Sequence, residues 1–183
     1  AVVRNTVRIA SESVRFNTQI DYTIKRAGVF NLRLVLPAGY RLDAVTGSNV
    51  SQWTERTDAA GRIADVTLKE RTTGADTLNA TLTQNYKEPP PALPIAGVHP
   101  LGTEKLSGFI TVTTDPGLAA KTASFDGLTE VPFVSVSSSP VSGGSALAYK
   151  FIAAPPGSQP SWKLSVTTET VEPWLRAEVM NTI

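Results

Sequence analysis

The chain has 183 residues, 41% of them apolar, with 17 basic and 16 acidic side chains for a formal net charge of +1. The two signs are interspersed, so there is no concentrated basic surface of the kind that displaces counterions from nucleic-acid phosphates. The absence of cysteine excludes disulfides and Cys-based zinc or iron–sulfur sites, but a chain of this length buries roughly 70% of its unfolded surface and needs no such staples.

Residues 14–37 alternate apolar and polar side chains twice. Val14, Phe16, Ile20, Tyr22 and Ile24 share one parity, and Phe30, Leu32, Leu34 and Leu36 share one parity after Lys25-Arg26-Ala27-Gly28. Successive strand side chains point to opposite faces, so the pattern predicts two strands, each with one buried face, joined as a β-hairpin. Further strands are expected at 42–46, 50–56, 62–69 and 77–86, with Asp58-Ala59-Ala60-Gly61 and Thr72-Thr73-Gly74-Ala75 as turns. This spacing indicates a meander within a sandwich or barrel. Ser and Thr, about a fifth of the residues, suit the wet face of half-buried strands.

Residues 87–102 break the rhythm with Pro89, Pro90, Pro91, Pro94 and Pro100. Consecutive prolines favour extended chain and cannot donate ladder hydrogen bonds, so a semi-rigid crossover or linker is expected. Strands resume at 106–114, 119–125, 133–137, 145–153 and 161–170. Leu147, Tyr149 and Phe151 share one face, as do Trp162, Leu164 and Val166. Residues 137–144 and 154–160 read as Ser/Gly/Pro loops. The expected fold is all-β, an antiparallel β-sandwich of roughly ten to thirteen strands with little or no helix, spanning 1–174 as one unit because the apolar faces before the crossover need covering.

The ends of the chain echo each other, Val3-Arg4-Asn5-Thr6 against Val179-Met180-Asn181-Thr182. If this marks a repeat, residues 175–183 form a terminal strand that begins the next copy of a tandem array. No apolar run approaches the ~20 residues that span a bilayer, and Ala1-Val2-Val3-Arg4 does not have the form of a signal peptide.

Motifs for catalysis are sparse. The single histidine, His99, sits in Gly97-Val98-His99-Pro100, and without a second His or a Cys it reads as a loop histidine rather than a metal ligand or triad base. Gly143-Gly144-Ser145-Ala146-Leu147 lacks the last glycine of a nucleophile elbow. Asp65 shares parity with Ile63 inside a strand and reads as a solvent-face acid. A hydrolase would need a paired carboxylate near Asp65 or His99. Asp58 and Asp65 flank a glycine-containing turn without the calcium-loop pattern, so no metal or cofactor is expected. Tyr40, Trp53 and Trp162 are the ligand-binding candidates if the chain binds sugar rings, although a Trp in a strand-like run more often fills core. Trp174, after Pro173, is the candidate for contact with a neighbouring domain. Asn49-Val50-Ser51 and Asn79-Ala80-Thr81 fit the glycosylation sequon.

The phrase Val29-Phe30-Asn31-Leu32-Arg33-Leu34-Val35-Leu36-Pro37-Ala38-Gly39-Tyr40, followed by Val45-Thr46-Gly47 and Val50-Ser51-Gln52-Trp53, resembles a recurrent β-sandwich unit of large bacterial envelope and surface proteins. Gly108-Phe109-Ile110-Thr111-Val112 is similar to a second segment of that unit. The resemblance covers about half of the chain through structural motifs and carries over no catalytic residue. It implies an extracytoplasmic, non-enzymatic structural or protein-interaction module whose partners are neighbouring domains of the same chain or another envelope protein. The alternative is a carbohydrate-binding or adhesion domain.

Overall fold

A computed structural model describes residues 1–58, 61–87, 90–137 and 144–171. The final segment, with Trp174 and the terminal echo, lies outside the described residues, as does most of the loop at 137–144. Among the described residues twelve strands carry the fold, and the one helical element is a single 3-10 turn at Phe133–Ser135. In chain order they are β1 (Val2–Ile9), β2 (Ser13–Leu36), β3 (Arg41–Gly47), β4 (Val50–Asp58), β5 (Gly61–Asn85), β6 (Leu93–Ile95), β7 (His99–Pro100), β8 (Ser107–Thr114), β9 (Leu118–Asp126), β10 (Thr129–Glu130), β11 (Ala146–Ile152) and β12 (Lys163–Thr170). The all-β sandwich expected from the alternation is present.

The expected hairpin at 14–37 is not. Its two runs are the two halves of β2, and both pair antiparallel with β5: Val14 opposes Gln84, Ile24 opposes Gly74, and Leu36 opposes Arg62. Alternation of period two reports which face is buried but not which strand is the neighbour. Lys25-Arg26-Ala27-Gly28 forms a corner in a continuous strand, and Thr72-Thr73-Gly74-Ala75 lies in the matching corner of β5. β3 and β4 are also collinear, β3 running beside 78–83 of β5 and β4 beside 61–68, with their break at Ser48 and Asn49.

These corners fold the sheet over. Leu36 opposes Arg62 and Arg41 opposes Thr83, so residues 37–40 join points near opposite ends of β5. A straight strand would hold those points roughly 70 Å apart, and so short a link reaches less than about 20 Å. The halves of β2 and β5 therefore lie in two layers. Arg62 holds the link, donating to the carbonyls of Tyr40 and Pro37 while its Nη2 pairs with Glu55 Oε2 at 2.6 Å. The inward faces share one core containing Phe16, Ile20, Leu34, Leu36, Val66, Leu78 and Leu82, each no more than 3% exposed, with Leu32 nearer its rim at 8%.

The first layer continues through β1, β8 and β11 to β10. β1 and β8 are parallel, the one parallel pair among the described residues, joined across the proline-rich crossover. The crossover is itself partly strand: β6 pairs with β12, and β7 with β2. Pro94 and Pro100 are tolerated because β6 and β7 each have a single strand neighbour, so the missing N–H groups need not serve a second ladder. A small sheet, in the order β6-β12-β9, covers β8 and β11, with the Phe125 and Tyr149 rings 5.6 Å apart and those of Phe151 and Trp162 6.0 Å apart. Residues 133–137, expected as a strand, contain the 3-10 turn instead.

Buried Asn5 fixes the crossover to β1. Its Oδ1 accepts from Thr18 Oγ1 at 2.8 Å and from the Val98 amide at 3.3 Å, and its Nδ2 donates to the Val98 carbonyl at 3.4 Å. Gly108 permits the β1–β8 pairing at this level, because a Cβ there would collide with the Val3 carbonyl oxygen and the Phe151 ring. Gly108→Ala is expected to destabilise the chain by more than about 2 kcal/mol, read as a lowered urea midpoint, because the clash is with backbone that cannot move aside.

Candidate functional site

β2 ends, β7 begins and the small sheet rises at one place, and there the surface opens into a cleft of about 530 Å³. Its walls are Val35, Leu36 and Pro37 at the end of β2, the crossover residues Pro94–Gly97 and His99, and Pro160 with Trp162–Ser165 at the start of β12. Ser124 of β9 completes the lining. The walls are apolar because three short segments expose proline and aliphatic carbon where they leave their sheets, while Lys163, Ser124 and Ser165 supply polar groups.

Trp162 is half-buried, resting on the core through Phe151 and on the backbone of Gly97. A Cβ at Gly97 would lie 2.6 Å from Trp162 Cζ2, so glycine is what allows the indole to lie flat on the crossover. One part of the ring packs inward and the rest lines the cleft. His99 is also half-buried, its Nε2–H donating to Gln159 Oε1 at 3.4 Å. Burial lowers its pKa below the ordinary 6.5, partly offset by the contacts with Gln159 and the Gly97 backbone. An amide partner orients the ring but stabilises an imidazolium far less than the carboxylate of a hydrolytic triad does. The arrangement suits a neutral imidazole that hydrogen-bonds a ligand beside an apolar wall.

The other candidate residues do not converge on this cleft. Tyr40 is 4% exposed, its ring edge-on to Phe16 at 5.4 Å, and its hydroxyl is buried without a hydrogen-bond partner among the described residues. It presents no ring face to solvent. Desolvation pushes its pKa up to about 12. Trp53 sits on the inner side of β4, opposite Val66, and is half-buried because β4 pairs only with β5. It lines a second, shallower groove of about 450 Å³ with Val45, Gly47 and Val50 where β3 gives way to β4. Asp65 is ion-paired to Arg56 at 2.5 Å, and Arg56 also pairs with Asp58. Neither acid is among the groups that bond to His99 or shift it, and among the described residues no three His, Cys, Asp or Glu side chains form a metal-binding group. Nothing in the residue pattern signals the Trp162–Gly97–His99 grouping, since its members lie on distant segments that the β6–β12 pairing brings together.

No family model and no curated protein matches the chain. Among solved structures, an M1 zinc metallopeptidase of Deinococcus radiodurans aligns over 91% of this chain and 41% of its own, at 13% identity and a TM-score of 0.52. A second structure of that peptidase gives a TM-score of 0.51 at 12% identity over the same shares. A non-cellulosomal cohesin from Archaeoglobus fulgidus covers 62% of this chain and 90% of its own, at 14% identity and a TM-score of 0.33. At these identities the likeness to the peptidase is one of fold. The chain spans about two fifths of the length of those peptidases.

Two expectations follow. The unfolded chain protonates His99 before the folded one does, so this contribution to stability is present above pH 6.5 and is lost as pH falls below it. The urea midpoint is expected to decline between about pH 7 and 5, and His99→Gln to flatten that decline. Tyr40→Phe removes an unpartnered hydroxyl and is expected to leave stability unchanged or raise it by about 1 kcal/mol at neutral pH. The wild type loses stability as pH rises above 10, where the unfolded phenol ionises and the buried one does not. The Phe variant should show a smaller loss in an alkaline denaturation series, the remainder coming chiefly from Tyr22, whose buried phenol is also pushed up by desolvation.

Proposed function

We propose that the chain is a non-enzymatic structural or protein-interaction module of a larger protein, packed against a neighbouring domain. The observation that carries this reading is a set of exposed large apolar side chains on elements that touch one another: Phe125 (45% exposed), Val134 (86%), Ile152 (66%) and Val171 (50%). Phe125 lies on β9 and Val171 follows β12 at the other end of their pairing, and β11, which carries Ile152, contacts both β9 and the 3-10 turn of Val134. Single apolar residues on a surface are ordinary, but several this large and this exposed on adjoining elements support a contact with another domain. The reading is supported by the M1 peptidases, where a similar fold occupies part of a longer chain. The resemblance to envelope-protein repeats supports a periplasmic, cell-surface or secreted setting.

The carbohydrate-binding alternative keeps one specific support, the half-buried Trp53 and Trp162 beside their grooves, with Tyr40 removed from the set by its burial. A glycan array that gives no binding removes it. For the leading reading, amide hydrogen exchange in the parent protein is expected to be slower around Phe125, Val134 and Ile152 than in the isolated chain. Val134→Glu with Ile152→Glu should abolish the difference while changing the stability of the isolated chain by less than about 0.5 kcal/mol per site. Equal exchange in parent and isolated chain would overturn the proposal.

A further inference from the structure

The folded edge of the sheet, where β2 and β5 turn their corners, differs in charge from the rest of the molecule. Between Ile24, opposite Gly74, and Val29, opposite Thr72, β2 inserts Lys25-Arg26-Ala27-Gly28 against Thr73 alone. Between Thr72 and Thr67, β5 inserts Leu68-Lys69-Glu70-Arg71 against Phe30 alone. The two bulges bring Lys25, Arg26, Lys69 and Arg71 to one edge, and all four are exposed. None has an ion-pair partner among the described residues, although Glu70 and Asp76 lie in the same region. By contrast, Arg4, Arg8, Arg41, Arg56 and Arg62 are paired with carboxylates elsewhere on the sheets, although Arg15 and Arg33 are not among the described ion pairs.

Three details show that this edge is built rather than merely basic. Arg71 is pinned: its Nε donates to the Gly28 carbonyl at 3.2 Å, and its stem packs so closely that a Cβ on Gly28 would lie 2.8 Å from Arg71 Cγ. The terminal nitrogens of that guanidinium have no partner among the described residues and form a fixed fork. Lys69 is held by the Ser48 carbonyl at 3.1 Å. Arg26 has φ of 69°, the one positive φ at a non-glycine residue among the described residues, a conformation that costs any side chain with a Cβ and that glycine would adopt freely. Strain of this kind collects at functional surfaces. Phe30, which shares parity with core residues Leu32 and Leu34, is 55% exposed in the middle of these cations because the register is broken around it.

We propose that this edge binds an extended acidic polypeptide segment, its carboxylates on Arg26, Lys69 and Arg71 and an apolar side chain on Phe30. A pre-oriented guanidinium fork matches discrete carboxylates, whereas a lipid surface needs only diffuse charge. The edge shares no residue with the apolar patch of the preceding proposal, so the two fail separately.

The test uses the full chain and a fluorescein-labelled peptide alternating glutamate and leucine, followed by fluorescence anisotropy at low and near-physiological salt. Saturable binding that weakens steeply with salt is expected. Arg71→Gln and Arg26→Gly should each weaken it about tenfold, the loss of one charge-assisted contact. Phe30→Ser should weaken it without altering the salt dependence, and Lys150→Gln on β11 should leave it unchanged. Arg26→Gly relieves the positive φ, so its melting temperature is expected to rise while binding falls, which excludes misfolding as the cause. The proposal is overturned by absence of binding at low salt, by an equal loss with Lys150→Gln, or by co-sedimentation with phosphatidylserine vesicles without peptide binding.

Discussion

The common level of the corners in β2, β5 and the β3–β4 line is the constraint on which the structure rests. Hydrogen-bonded neighbours in a sheet must bend together, because a corner in one strand alone would tear its ladder on both sides. Three adjacent strand lines therefore break at one height, and the sheet closes over its own apolar face. One sheet thus supplies both walls of much of the core, with Phe16 from one arm of β2 sharing a cluster with Leu34 and Leu36 from the other. The corners also divide labour. The arms are regular, and the irregular chemistry, with its broken register, positive φ and unpaired cations, is displaced to the fold line.

At the other end of the arms, polar groups hold what alternation cannot. The Asn5 carboxamide offers Val98 one donor and one acceptor, as a strand backbone would, so the crossover gains a ladder-like rung where it has no strand neighbour on that side. Arg62 does the same for the 37–40 link by gathering carbonyls that would otherwise face into the fold without donors. Tyr149 finds Thr122 for its hydroxyl, whereas those of Tyr22 and Tyr40 have no partner among the described residues. The core is thus well filled but not fully satisfied, and its polar cost falls on two tyrosines at the ends of the folded layers.

The period-two pattern made the buried faces legible. Val14, Phe16, Ile20, Leu32, Leu34, Tyr149, Leu164 and Val166 are buried as their parity indicates. Pairing was not legible, because a corner and a hairpin turn use the same residues: Lys25-Arg26-Ala27-Gly28 suits either. β1 escaped notice as a strand although Val3, Val7 and Ile9 alternate with arginine, since buried Asn5 interrupts the apolar series at the position where it meets Val98. Phe30 misled for the opposite reason: its parity is that of the core, but parity loses meaning where the register slips. The cleft was out of reach, as it depends on a three-residue pairing of β6 within a stretch whose prolines argue against any strand.

The parallel β1–β8 pairing also bears on the order in which the molecule can be completed. Thr111 reaches Thr6 across a sequence separation of 105 residues, and no local hairpin can stand in for that contact. During synthesis the edge of β1 that pairs with β8 lacks that partner until β8 has left the ribosome. Its free edge is apolar on one face, which is the surface that pairs wrongly with a neighbouring nascent chain. Arginine at positions 4 and 8 places charge on the opposite face throughout that interval, so the residues that later form ion pairs with Asp21 and Asp115 also keep the unfinished edge soluble.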